Sequence, residues 1–282
     1  MKEEINTNAE AVEEEEEDED VAEFKAILEE LIYISNHPKN IWKRREVSLL
    51  LLGIFVEDIS MYMIRHPHYN LLENLFAEIM MTDYKLAPKS LRSCLIGRSL
   101  WACNSIADLV PRGESGTLFM HQVIDFAVES LREKSNDTSV YLIATRCLIK
   151  YSRKFKSEEL QQFAPKFETI LDSLLFLVDT ATLEYAYLPI EAFQTFSKIN
   201  EDTVAQMTPK VTPKLLTLFK NYHSEGALGQ ELINLFKLWC NYDQCREIFV
   251  DTFIPFIMEI VELYYNSTPN TENKDNVLSL KD

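Results

Sequence analysis

Glycine is scarce in this 282-residue sequence, which has only six, and hardly any Asn-Gly turn or apolar-polar alternation occurs from which strands could start. Long apolar runs are missing too. The longest in "IWKRREVSLLLLGIF" (residues 41–55 of the chain) runs from Val47 to Val56 and stops at Glu57, about half of the roughly 20 residues a membrane span needs. The opening MKEEINTNAE has no cationic start followed by an apolar segment, so a secretory leader is not expected and the protein should be cytosolic or nuclear. Cys94, Cys103, Cys147, Cys240 and Cys245 are odd in number and form no C-x-x-C pair, which points to buried reduced thiols.

Positive charge is in short supply. Against 45 acids stand 28 lysines and arginines, a formal charge of −17, which repels nucleic-acid phosphates and attracts basic surfaces. Catalytic signatures are lacking as well: there is no G-x-S-x-G, Walker-type loop or H-E-x-x-H. In "RHPHY" the pair His66 and His68 has no third or fourth ligand nearby, and His121 and His223 stand alone. "PRGESG" from Pro111 joins two helical patterns and lacks the lysine of a phosphate loop. Neither an enzyme, a metal nor a cofactor is expected. The patterns at Asn136 and Asn266 match glycosylation acceptors but, without a leader, should stay unmodified.

What is present is helix. Residues 1–20 hold eleven acids and one lysine and cannot bury enough apolar area to order, so they read as a disordered acidic segment; 266–282 reads as a polar tail. Between them, over 21–265, apolar residues recur at helical spacing, predicting helices near 21–36, 41–65, 70–82, 89–109, 116–133, 138–154, 158–178, 183–198, 201–221, 226–240 and 244–265. Asn40, Asn70, Ser157 and Asn200 are placed as N-caps, the last three with acid in the following turn.

The chain also resembles itself. "FAPKFETILDSLLFLV", "VTPKLLTLFKNY" and "FIPFIMEIVELY" each set a proline two residues after an apolar one, and Pro165, Pro213 and Pro255 lie 48 and 42 residues apart. A two-helix period in the forties defines a HEAT or armadillo-type solenoid, here an all-α, right-handed superhelix of about five antiparallel pairs. In the opening stretch, Trp42, Leu49, Leu52 and Val56 take one face and Leu50, Leu51 and Ile54 the other, so this helix should be covered nearly all round, with Gly53 marking a close approach. Lys43, Arg44 and Arg45 are expected on its solvated side, and Trp101 and Trp239 in the core.

Two stretches carry a family resemblance. "WKRREVSLLLLG", through Trp42, Lys43, Arg45, Glu46, Leu52 and Gly53, resembles the W-K-x-R-E-A-A-x-x-x-L-G helix of the importin-β (karyopherin-β) superfamily of nuclear transport receptors; Val47 and Ser48 stand where small alanines are usual. "LIGRSLWACNSIADLVP", through Gly97, Arg98, Leu100, Trp101 and Ala102, is similar to a helix of its histone-importing branch. The resemblance implies a middle segment of a longer import receptor that shuttles between cytoplasm and nucleus, carries basic cargo such as core histone dimers, and responds to Ran-GTP through the complete receptor. It implies no nucleic-acid or membrane partner.

In such solenoids the second helix of each pair lines the inner side. Asp125, Glu129, Glu168, Asp172, Glu259 and Glu262, with Glu73, Glu78 and Asp251, then form either a negative track for cargo or ordinary solvated faces. The block Glu13, Glu14, Glu15, Glu16, Glu17, Asp18, Glu19, Asp20 is either a polyanion that shields basic cargo or a solubilising linker. A HEAT scaffold outside nuclear transport, and an export receptor, remain alternatives on the sequence.

Overall fold

The computed structural model describes residues 41–65, 87–110, 113–133, 137–222 and 225–267, together with Ala26, Glu29 and Lys85. The acidic block 13–20, the helices expected over 21–36 and 70–82, the caps Asn40 and Asn70, Glu73, Glu78, His66, His68 and His223 lie outside them. Among the described residues the chain is helical with no strand.

The helices are α1 (Ile41–Ile54), α2 (Val56–Arg65), α3 (Arg92–Ile106), α4 (Glu114–Arg132), α5 (Thr138–Ser152), α6 (Ser157–Leu160), α7 (Phe167–Asp179), α8 (Tyr187–Phe196), α9 (Glu201–Tyr222), α10 (Gly226–Trp239) and α11 (Asp243–Ser267). The helices at the centre of the chain bury apolar stripes. In α7 the stripe is Phe167, Ile170, Leu171, Leu174, Leu177 and Val178, and in α9 Val204, Met207, Val211, Leu215 and Leu218. Such stripes bind a helix to its neighbours far more strongly than propensity alone would hold it together.

Packing sorts the helices into two layers. In the first, α1 lies against α3, α3 against α5, α5 against α8 and α8 against α10; in the second, α4 lies against α7, α7 against α9 and α9 against α11. Each second-layer helix also touches the next first-layer helix, α4 on α5, α7 on α8 and α9 on α10. Like meets like at every step of the stack, which makes the fold an α-solenoid of the HEAT type.

Several boundaries fall where the sequence placed them. Asn200 caps α9, accepting the Thr203 N–H at 2.7 Å. Pro213 and Pro255 stand at the same place in their helices, twelve residues after the starts at Glu201 and Asp243, as the internal likeness requires.

Other expectations need correction. The single helix over 158–178 is divided into α6, a 3-10 segment over Gln161–Lys166, and α7. Pro165 has no N–H and crowds the preceding turn, and the one-turn α6 upstream is too short to carry the helix through it. The residue before α6 is Lys156 rather than Ser157, and the Glu159 carboxylate accepts the Lys156 N–H at 2.8 Å. The helix expected from 183 starts at Tyr187, because residues 182–186 are closed into turns on the Thr182 carbonyl. Nor is α1 covered all round: Val47 and Ile54 are 48% and 58% exposed. Arg45, expected in solvent, is buried, whereas Lys43 stays exposed. Of the cysteines, Cys103, Cys147 and Cys245 are buried as expected, but Cys94 is exposed and Cys240 half-buried. Trp239 is fully buried and Trp101 half-buried against the core.

Candidate partner surface

The two stretches that carry the family resemblance meet each other in space. The Arg98 Nε donates to Glu46 Oε1 at 2.7 Å, and its guanidinium lies 5.3 Å from the centre of the Trp101 ring. That ring occupies the space over Gly53 where any side chain would have to go. These residues therefore fasten α1 to α3, and their pattern is that of a repeat junction.

Further along, the ends of α3, α7 and α8 are closed by side chains that arrive later in the chain. The last carbonyls of a helix have no partner within it. At α3 they are met from α5, where Tyr151 OH donates to the Cys103 carbonyl at 2.7 Å and Lys150 Nζ to that of Asn104 at 3.1 Å; the Cys147 thiol adds a bond to the Leu100 carbonyl, a turn and a half inside the helix, at 3.0 Å. Tyr222 repeats the move onto the Ala181 carbonyl at 3.2 Å, and Tyr242 onto that of Ser197 at 2.9 Å, where Trp239 Nε1 also donates to Ser197 Oγ at 2.7 Å. Sequence reading missed these tyrosine clamps. Their signal is a tyrosine at or just past a helix end, 41 to 48 residues after the carbonyl it meets.

Burial around this junction shifts the groups inside it. Desolvation pushes the Cys103 thiol up to about 12, and Cys147 and Tyr151 well above their ordinary values, so all three are neutral donors or packing groups. At the rim, the hydrogen bond from Lys150, with Lys154 beside it, holds the Asp108 carboxyl below its usual range.

Among the described residues, the predicted acids all lie in the second layer. Asp125 and Glu129 stand on α4, with Glu168 and Asp172 on its neighbour α7; Arg132 Nε to Thr169 Oγ1 at 3.4 Å and Ser173 Oγ to the Leu131 carbonyl at 3.5 Å set the register between these helices. Glu259 and Glu262, with Asp251, stand on α11, one helix further than α9. The structure thus brings the first four together and separates them from the last two by α9, which carries Lys210, Lys214 and Lys220.

Three of the six are matched by cations of this chain. Lys166 pairs with Asp125, Arg132 with Glu129 at 3.2 Å, and Lys220 with Glu259 at 2.7 Å. Glu168, Asp172 and Glu262 are exposed with no ion pair among the described residues. Asp172 also lines a cleft of about 470 Å³ with Arg132, Tyr141, Thr169 and Phe176, where the Tyr141 and Phe176 rings lie 5.3 Å apart. A second cleft, of about 420 Å³, lies between α5 and α8 and is edged by Arg146, Lys150, Arg153, Tyr185 and Tyr187. It went unseen in the sequence because Tyr185 was assigned to a helix and belongs to the turn before one. No group of three or more His, Cys, Asp or Glu among the described residues is arranged to hold a metal ion, and no described helix is long and apolar enough to cross a membrane.

These features define an α-solenoid, a stack of helix pairs that offers extended surfaces. No protein-family model matches the chain, and no solved structure matches it. Among characterised proteins it is similar to importin-9 of Drosophila melanogaster, 23% identical over 190 residues. The match takes in 66% of this chain and 18% of that protein's length. It supports kinship with the importin-β family and no finer placement.

Proposed function

We propose that this chain is a segment of a nuclear import receptor that holds basic protein cargo, of which core histone dimers are the type, with release under Ran-GTP control exercised through a complete receptor. The observation that carries this reading is the coincidence of a HEAT-type stack with similarity to importin-9 across two thirds of the chain. No bond is made or broken. The unpaired Glu168, Asp172 and Glu262, and the block Glu13 to Asp20, attract lysine and arginine, while flexing spread over many helix junctions fits the stack to its cargo. Shuttling between cytoplasm and nucleus follows from the same reading.

The test is fluorescence anisotropy of a labelled core histone dimer titrated with the chain, with and without residues 1–20, across a salt series. Binding that weakens with salt and on removal of the block supports the receptor. Absence of binding at low salt, with helicity intact, favours a HEAT scaffold outside nuclear transport. One observation leans toward that second reading: Lys166, Arg132 and Lys220 already neutralise Asp125, Glu129 and Glu259, and the lysines of α9 interrupt the acidic face.

A further inference from the structure

One arginine of this chain shows what an aromatic ring and a carboxylate can hold between them. At the α1 to α3 junction the Arg98 guanidinium lies 5.3 Å from the centre of the Trp101 ring, and its Nε donates to Glu46 Oε1 at 2.7 Å. A planar cation can rest its face on a ring while its edge meets an acid.

The cleft of about 470 Å³ among α4, α5 and α7 offers the same two surfaces to the outside. Asp172 and Phe176 stand one turn apart on α7 and so share a face. Phe176 is 43% exposed although α7 sits in mid-stack, with α4 packed on one side of it and α9 on the other. Its ring is backed by that of buried Tyr141 from α5, 5.3 Å away and tilted by 46°, which limits its movement. Asp172 is exposed and has no ion pair among the described residues. Arg132, also on the wall of the cleft, is turned aside, donating to Glu129 at 3.2 Å and to Thr169 Oγ1 at 3.4 Å. Its charge is thereby matched, while Glu168, one turn before Asp172, adds a second unmatched acid.

We propose that this cleft seats an arginine side chain of a basic protein, its guanidinium lying on the Phe176 ring and pairing at its edge with the Asp172 carboxylate. The inference rests on the reading that the second layer meets basic cargo, and narrows it to one residue type at one place. Lysine suits the cleft less, because its ammonium is a strongly hydrated point charge that neither stacks on a ring nor forks a carboxylate. An acidic ligand could use Arg132 but would be repelled by Asp172 and Glu168.

The experiment uses the full chain and three labelled Gly-Ser peptides of equal length, carrying four arginines, four lysines or four glutamates, compared by fluorescence anisotropy at about 0.15 M salt. The arginine peptide should bind at least about threefold tighter than the lysine peptide. That ratio is the readout, since the block Glu13 to Asp20 attracts both by charge. Phe176→Leu, which keeps apolar bulk and removes the ring, and Asp172→Asn, which keeps the shape and removes the charge, should each bring the ratio close to one with circular dichroism unchanged. Phe176→Tyr should preserve it. Arg132→Gln should tighten the arginine peptide by about twofold, as a like charge leaves. Equal binding of arginine and lysine peptides, or a ratio that survives both Phe176→Leu and Asp172→Asn, overturns the proposal. So does preferred binding of the glutamate peptide that Arg132→Gln removes, which would make the ligand an acid. A labelled core histone dimer run alongside separates this site from the receptor reading. Dimer binding without the peptide ratio removes the arginine seat and leaves the receptor standing, whereas a ratio carried by Phe176 and Asp172 without dimer binding supports the seat and gives it to another basic protein.

Discussion

Gly53 and Trp101 share one space. The indole of Trp101 on α3 lies over Gly53 of α1 so closely that a Cβ there would stand inside the ring's contact distance. A glycine in mid-helix costs about 1 kcal/mol relative to alanine, and here it is what lets the two helices close. Gly53→Ala should destabilise the fold by about 1–2 kcal/mol, because overpacking of about 1–3 kcal/mol outweighs the gain in helix propensity. Urea midpoints check this, and adding Trp101→Leu should restore most of the loss in a double-mutant cycle.

Tyr151→Phe should cost about 1–3 kcal/mol, the price of leaving the buried Cys103 carbonyl without its donor. Tyr242→Phe should cost less, since that hydroxyl is only half-buried. Chemical denaturation of the two variants side by side separates a clamp from a passing contact.

Alkaline pH should loosen the α3 to α5 junction. An unfolded thiol ionises near 9.0, whereas folded Cys103 resists until about 12. A folded pKa raised above the unfolded one contributes stability that is whole below pH 9 and is lost as pH rises through the window up to about 12. Cys147 and Tyr151 act in the same direction. Stability measured from pH 8 to 11 should fall, and fall less steeply in Cys103→Ala.

Thiol labelling should be selective. Cys94 is exposed, while Cys103 and Cys147 are sealed and held neutral. A disulfide reagent at neutral pH should consume Cys94 first and reach Cys103 and Cys147 only at the rate of unfolding, as mass spectrometry of quenched samples would show.

If the second layer meets basic cargo, its own lysines compete with that cargo. Lys166→Ala frees Asp125 at a stability cost below about 1 kcal/mol, since the pair is exposed. Its affinity for a histone dimer at low salt should rise by a few-fold over wild type, and an unchanged or lower affinity would place cargo elsewhere.

The helical class and the repeat were legible because both are periodic. Proline spacing carried the stack, Asn200 carried a cap, and Gly53 carried a close approach, each through a local rule that tertiary contacts did not override. What escaped depended on pairs of residues far apart in the chain. Nothing near Tyr151 announces the carbonyl of Cys103, and no count of acids on α4 reveals that Lys166 arrives to meet Asp125. Pro165 misled because the same residue is tolerated in the long helices α9 and α11 but ends a helix with only one turn behind it. Arg45 misled because three cations in a row suggest water, and a helix turns each of them in a different direction.

Among the described residues, the side-chain hydrogen bonds that join successive helices span up to 52 residues, from Glu46 to Arg98. Each joint can thus form as soon as about fifty residues of chain are free, without waiting for a distant terminus. Such a stack has low contact order for its length, so its repeats can zip up in sequence as the polypeptide leaves the ribosome, and a break at one joint need not melt the next. Under a stretching force the same spacing makes it yield one helix pair at a time, as a spring of weakly coupled turns.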